Sequence, residues 1–196
     1  MDFSKDDACR IFSNCNLAPR TSRIADYWLS IWDGDCLPAR AAIAPTQIKS
    51  LLSGVIIFRV VPGQSVTVRM AGTGHYALLK FELTGQDWLA ATPHKDQSAR
   101  LAILSAVARG AMALGRWRFR QKLGKEIHCE KILLPLRPEA GGSDVSVLGF
   151  IDWGPRADYG ADISLQEIPL PHIISHIENK HHAPGHSDGA PTRVEG

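Results

Sequence analysis

The sequence has no uninterrupted apolar run of 18 residues, so it offers no transmembrane helix. Its opening, Met1-Asp2-Phe3-Ser4-Lys5-Asp6-Asp7, is acidic and has no apolar core segment, so no secretory signal is expected and the chain reads as cytoplasmic. Charge of one sign is also scarce. A formal net charge of +2 is too small for a strong nucleic-acid binder or a polybasic membrane tether. Cysteine is sparse: Cys9, Cys15, Cys36 and Cys129 form no C-x-x-C pair and match no zinc module, so reduced, idle thiols are expected. Neither a Walker loop nor a G-x-G-x-x-G string occurs. Asp33 and Asp35 flank Gly34, where turn formation explains them, and no nucleophile–base–orienter set can be assembled. An enzyme is therefore not expected.

What is present is the composition of an ordinary soluble domain: 196 residues, 44% hydrophobic and 21% charged. Residues 1–21 read as an arm that gains order by docking. A helix is expected from Ser22, a good N-cap, with Ile24, Tyr27, Trp28, Ile31 and Trp32 at helical spacing. A short helix over 45–52 precedes two strands, 55–61 and 65–71, joined by Pro62-Gly63 into an antiparallel hairpin. The longest helix is expected over 94–114, with Leu101, Leu104, Ala108 and Ala111 on one stripe. Three more strands follow, over 116–123, 127–136 and 145–153. Two strands, a helical middle and three strands give an α+β domain over 22–154: a five-stranded antiparallel sheet with helices covering one face. Residues 155–196 form an extension with net charge −3, against +5 for residues 1–154. A short helix is expected over 171–180, and the His-, Gly-, Pro- and Ser-rich tail from about residue 181 is expected to be disordered.

This order of elements, with several local strings, resembles the small stand-alone bacterial proteins of a divergent PAS branch. The strings are Tyr27-Trp28; Leu37-Pro38-Ala39-Arg40 with Ile43-Ala44-Pro45; Arg69-Met70-Ala71-Gly72-Thr73; Leu83-Thr84-Gly85; and Leu133-Leu134-Pro135-Leu136. Ala42 and Ala44 stand where that branch favours an acidic residue, and the cysteine motif of flavin-bonded light sensors is absent. The resemblance implies a PAS-like regulatory module that binds a small molecule or a protein partner, forms a homodimer, and signals through an unknown partner protein. It implies a pocket between the long helix and the sheet, for which Met70, His75, Leu101, Leu104, Ala108 and Leu134 are the candidate lining. It makes the helix carrying Tyr27, Trp28, Ile31 and Trp32 the candidate interface, although those residues equally suit core packing. The cofactor, if any, is left open.

Two alternatives compete with a ligand sensor. One is an adaptor whose pocket is filled by its own side chains. The other is an anion- or nucleotide-binding module using the alternating Arg116, Arg118 and Arg120. Trp117 and Phe119 alternate with those arginines and point the other way, which disfavours a stacking platform for nucleic acid. Haem would need one axial histidine, His75 or His94, and the i, i+4 pair His172 and His176 lacks the companion carboxylate of a zinc motif, so no metal is expected.

Overall fold

Ser4 is the N-cap of the first helix. Its hydroxyl accepts the Asp7 N–H at 3.2 Å while the Asp7 carboxylate accepts the Ser4 N–H at 3.1 Å, a capping box that starts α1 (Lys5–Asn14). The expected arm is thus a helix, and it docks through buried Ala8 with Ile11 and Phe12 beside it. α2 (Pro19–Ser30) starts three residues before the expected cap at Ser22. Proline suits that first turn because its missing N–H would have had no helical partner. The fold is a computed structural model that describes residues 4–34, 36–92, 94–120, 126–139, 141–154 and 166–169.

The expected helix over 45–52 is replaced by short 3₁₀ turns, Pro45–Ile48 and Leu52–Gly54. They lead into the hairpin β1 (Val55–Val61) and β2 (Ser65–Ala71). α3 (Thr73–Leu79) and α4 (His94–Ala108) form the helical middle. α4 stops six residues short of the expected end: Gly110 takes a φ of +106°, which glycine reaches without steric penalty, and the chain turns into a strand at Ala113. The strands β3 (Ala113–Arg120), β4 (Glu126–Pro135) and β5 (Val145–Asp152) complete the expected five. A short sixth, β6 (Gln166–Pro169), comes from the extension and pairs with β3. The sheet order is β2-β1-β5-β4-β3-β6, every neighbouring pair antiparallel. The expected helix over 171–180 and the tail lie outside the described residues.

Both faces of this sheet are covered. On the outer face, Val55, Ile57, Leu114, Ile132, Leu134, Leu148 and Phe150 pack against α1 and α2. On the inner face, Ile56, Phe58, Val60, Val66, Val68, Leu133 and Val147 pack against α4 and the segment before it. The expectation of one covered face therefore needs a second layer. Period-two alternation explains the split, since successive residues of β1 and β4 enter opposite cores. At the β2 edge, residues 85–88 pair with the strand: Gly85 N–H reaches the Val68 carbonyl at 2.7 Å and Trp88 N–H the Val66 carbonyl at 2.9 Å. That pairing removes a row of open backbone groups.

Candidate functional site

The space between α4 and the inner face is filled by side chains. Leu104, Val107 and Ala108 from the helix meet Phe58, Leu133 and Val147 from the sheet, with Leu83, Trp88 and Leu101 closing the layer. The rings of Phe58 and Trp88 meet edge-on at 5.3 Å between centroids, and the Arg100 guanidinium lies 5.9 Å from the Trp88 ring centre. Of the six expected pocket residues, Leu101, Leu104 and Ala108 belong to this layer.

Leu134 and Met70 do not. Leu134 faces the outer core, and its neighbour Leu133 takes the inner position. Simple alternation of Val66, Val68 and Met70 would bring Met70 inward. A bulge breaks it: Val68 pairs with Phe58 but Met70 pairs with Ile57, leaving Arg69 as the extra residue. Met70 thereby shares the register of outward-facing Ile57 and is exposed. Alternation alone gives no sign of such a bulge. Phe58, Leu83, Trp88, Val107, Leu133 and Val147 are among the inner-layer residues that the expected lining omitted, although the apolar run of β1 pointed to Phe58.

His75 sits at a corner behind this layer, wholly buried. Its Nε2–H donates to the Gly54 carbonyl at 3.1 Å, and its ring lies edge-on to Trp153 with centroids 6.1 Å apart. Burial holds its pKa below the ordinary histidine value, against the opposing pull of the Gly54 and Val55 carbonyls, so the imidazole is neutral. Its Nδ1 has no hydrogen-bond partner among the described residues. The corner is made possible by Gly72, where a Cβ would lie 1.9 Å from the Leu52 carbonyl oxygen. His94 begins α4 and is exposed. Among the described residues no group of three or more His, Cys, Asp or Glu side chains is placed to hold a metal ion.

The aromatic helix α2 is spent inside the domain. Trp28 is fully buried on the outer face, its Nε1–H donating to the Pro135 carbonyl at 2.9 Å. Trp32 stacks edge-on against it at 4.7 Å, and Tyr27 Oη accepts the Ala44 N–H at 2.7 Å. Ile31 is half-buried against the same core. α2 presents Pro19, Arg23, Asp26 and Ser30 to solvent.

Arg116 is likewise committed. It stands in register with Glu130 on β4, which stands in register with Asp152 on β5. Arg116 Nε lies 2.7 Å from Glu130 Oε2, while its Nη2 donates to the carbonyls of Cys15 and Asn16 at 3.1 and 2.7 Å. Glu130 Oε1 also accepts the Ala18 N–H at 2.8 Å, and Arg20 Nη1 reaches Asp152 Oδ1 at 3.1 Å. These groups clamp the α1–α2 corner onto the sheet. For Arg118 and Arg120 the description extends to the backbone, which pairs with His128 and Glu126 on one side and Ile168 and Gln166 on the other.

Two open clefts border the inner layer among the described residues; the wider, about 500 Å³, runs along the β2 edge past Arg59, Arg69, Thr84, Glu139 and Asp144, and the smaller lies beside α3. The α3 cleft has a volume of about 240 Å³ and is lined by Ala71, Gly72, Thr73, Tyr76, Glu82 and Leu83. Tyr76 is a large exposed ring in this lining, and Phe81, also exposed, directly precedes the lining residue Glu82 in the chain.

Comparison with known proteins adds a family. A profile described as PAS domain matches residues 17–152, most of the chain. No curated protein matches. Among solved structures the chain is similar to the PAS domain of an HTR-like protein from Haloarcula marismortui, at 14% identity and a TM-score of 0.35, over 55% of this chain and 88% of that one. It is similar to a fungal LOV domain photoreceptor at 16% identity and a TM-score of 0.35, covering 58% and 94%. An RNA-binding light-oxygen-voltage receptor is similar at 17% identity and a TM-score of 0.36, covering 74% and 47%.

Proposed function

This chain belongs to the PAS-domain family, whose members are generally sensory or regulatory modules, and from that premise we propose that it works from its surface and passes its signal to a protein partner. The observation that carries this reading is the filled inner layer. Phe58, Trp88, Leu104, Val107, Leu133 and Val147 occupy the space between helix and sheet that a buried ligand would need. A closely packed layer yields a cavity only by displacing side chains, at a loss of packing energy. Exchange with a ligand or partner then belongs at the open α3 cleft and its exposed rim. Arg116 supports the anion-binding alternative poorly, because Glu130 and two carbonyls already occupy its guanidinium.

Native mass spectrometry of the freshly purified full chain tests this reading. The expected result is a native subunit mass equal to the denatured mass. A reproducible excess, lost on denaturation and too large for the α3 cleft of about 240 Å³, would mean a retained core ligand and overturn it. The same spectrum reads the homodimer, which on this reading uses a face other than the buried Trp28 and Trp32.

A further inference from the structure

We propose that the α3 cleft is a binding site for a small organic ammonium ion, a cation on a short apolar stem. This rests on the surface-exchange reading above. The volume, about 240 Å³, lies below the range of pockets for drug-sized ligands, so the fitting molecule is small. The lining then selects its chemistry. Glu82 is the single charged residue among the six lining the cleft. Its carboxylate is also fixed: Oε1 accepts the Thr84 backbone N–H at 2.8 Å. A fixed acceptor forms a charge-assisted hydrogen bond without first losing its own side-chain freedom.

Tyr76 supplies the second element. It lines the cleft and is exposed over more than half its surface, so its ring is available to a ligand. An aromatic face attracts a cation through its quadrupole, and a carboxylate in the same cleft adds to that attraction. Thr73 offers a hydroxyl, while Ala71, Gly72 and Leu83 leave an apolar floor for a hydrocarbon stem. An anionic ligand would meet Glu82 and be repelled. Close approach of α3 to the 3₁₀ turn at Leu52–Gly54 fixes the cleft wall: a Cβ on Gly74 would fall 2.6 Å from the Ser53 carbonyl oxygen. The site is therefore a preformed, one-charge cleft.

The probe is phenethylammonium, with phenylacetate as its anionic counterpart, titrated into the ¹⁵N-labelled full chain. The expected result is saturable movement of amide signals from residues 72–76 and 82–84 with the cation and none with the anion. Glu82→Gln should weaken binding about ten-fold, the worth of one hydrogen bond to a charged group. Tyr76→Leu should weaken it roughly two- to five-fold, the size of an exposed cation–π contact. Both side chains are exposed, and an unchanged amide spectrum elsewhere checks that each variant folds. Absence of saturation, equal response to phenylacetate, or undiminished binding by Glu82→Gln overturns the site. Failure here leaves the native mass unchanged, so it is distinguishable from failure of the filled-core reading.

Discussion

The two faces of the sheet are covered by helices in physically different ways. On the outer face, apolar packing is supplemented by directional contacts. Trp28 donates to Pro135, Arg116 bridges Glu130 and the end of α1, and Arg20 reaches Asp152. The inner face is held mainly by apolar contact between α4 and the sheet, with the Gly63 N–H to Ser105 hydroxyl bond, 2.9 Å, as one polar tie. Directional contacts fix one geometry, whereas apolar contact tolerates sliding. Among the described residues the outer layer is accordingly the more directionally tied of the two. The α3 cleft and the exposed Tyr76 and Phe81 lie on the less constrained side.

Trp28→Ala should break the comparison most severely. It removes the largest fully buried side chain of the outer core together with its hydrogen bond to Pro135. Loss of about 3–5 kcal/mol is expected, read from urea unfolding. A loss below about 1 kcal/mol would mean that the outer layer is not integral to the fold. Next is Arg116→Met, which keeps the apolar stem and deletes the charge. Glu130, only 6% exposed, is then left without its cation. About 2 kcal/mol is expected, below the 3–5 of a fully buried pair because Arg116 is partly solvated. A double-mutant cycle with Glu130→Gln should recover a coupling of about 1 kcal/mol or more; additivity would remove the clamp.

Much of this division was legible in particular residues. The strand boundaries of β1 and β2 follow from the Pro62-Gly63 turn, and α4 from its apolar stripe. The second layer had a signal as well. Val55-Ile56-Ile57-Phe58 and Ile132-Leu133-Leu134 are apolar without alternation, which means that both faces are buried. Ser4 with Asp7 at the third position likewise marked a helix start. Other features had no local signal. The bulge that turns Met70 outward depends on pairing with β1. The partnership of Arg116 with Glu130 depends on the β3–β4 register, and both sites therefore became visible only in three dimensions. The Ala71-Gly72-Thr73 string is explained only by the Leu52 carbonyl that crowds Gly72 from a distant segment.

His75 sharpens the contrast through pH. Burial depresses its folded pKa, so the unfolded chain binds the proton more readily. Stability from this group is fully present above the unfolded value, near 6.5, and is lost as pH falls below it. The wild type should lose up to about 1.4 kcal/mol per pH unit from this one group below that point. His75→Gln, compared by urea unfolding at pH 7.5 and 5.5, should flatten that part of the profile. Parallel profiles for the two proteins would show that His75 is not the titrating group.

The smallest effect is expected at the exposed rim. Phe81 is 45% exposed and belongs to neither buried core, so Phe81→Ser should change stability by no more than about 0.5 kcal/mol. If the rim serves partner binding, the variant should unfold like wild type yet lose self-association or co-purifying protein. A stability loss above about 1.5 kcal/mol would instead make Phe81 part of the inner core. The two outcomes are separable because a side chain retained on the surface for recognition contributes little to the fold that displays it.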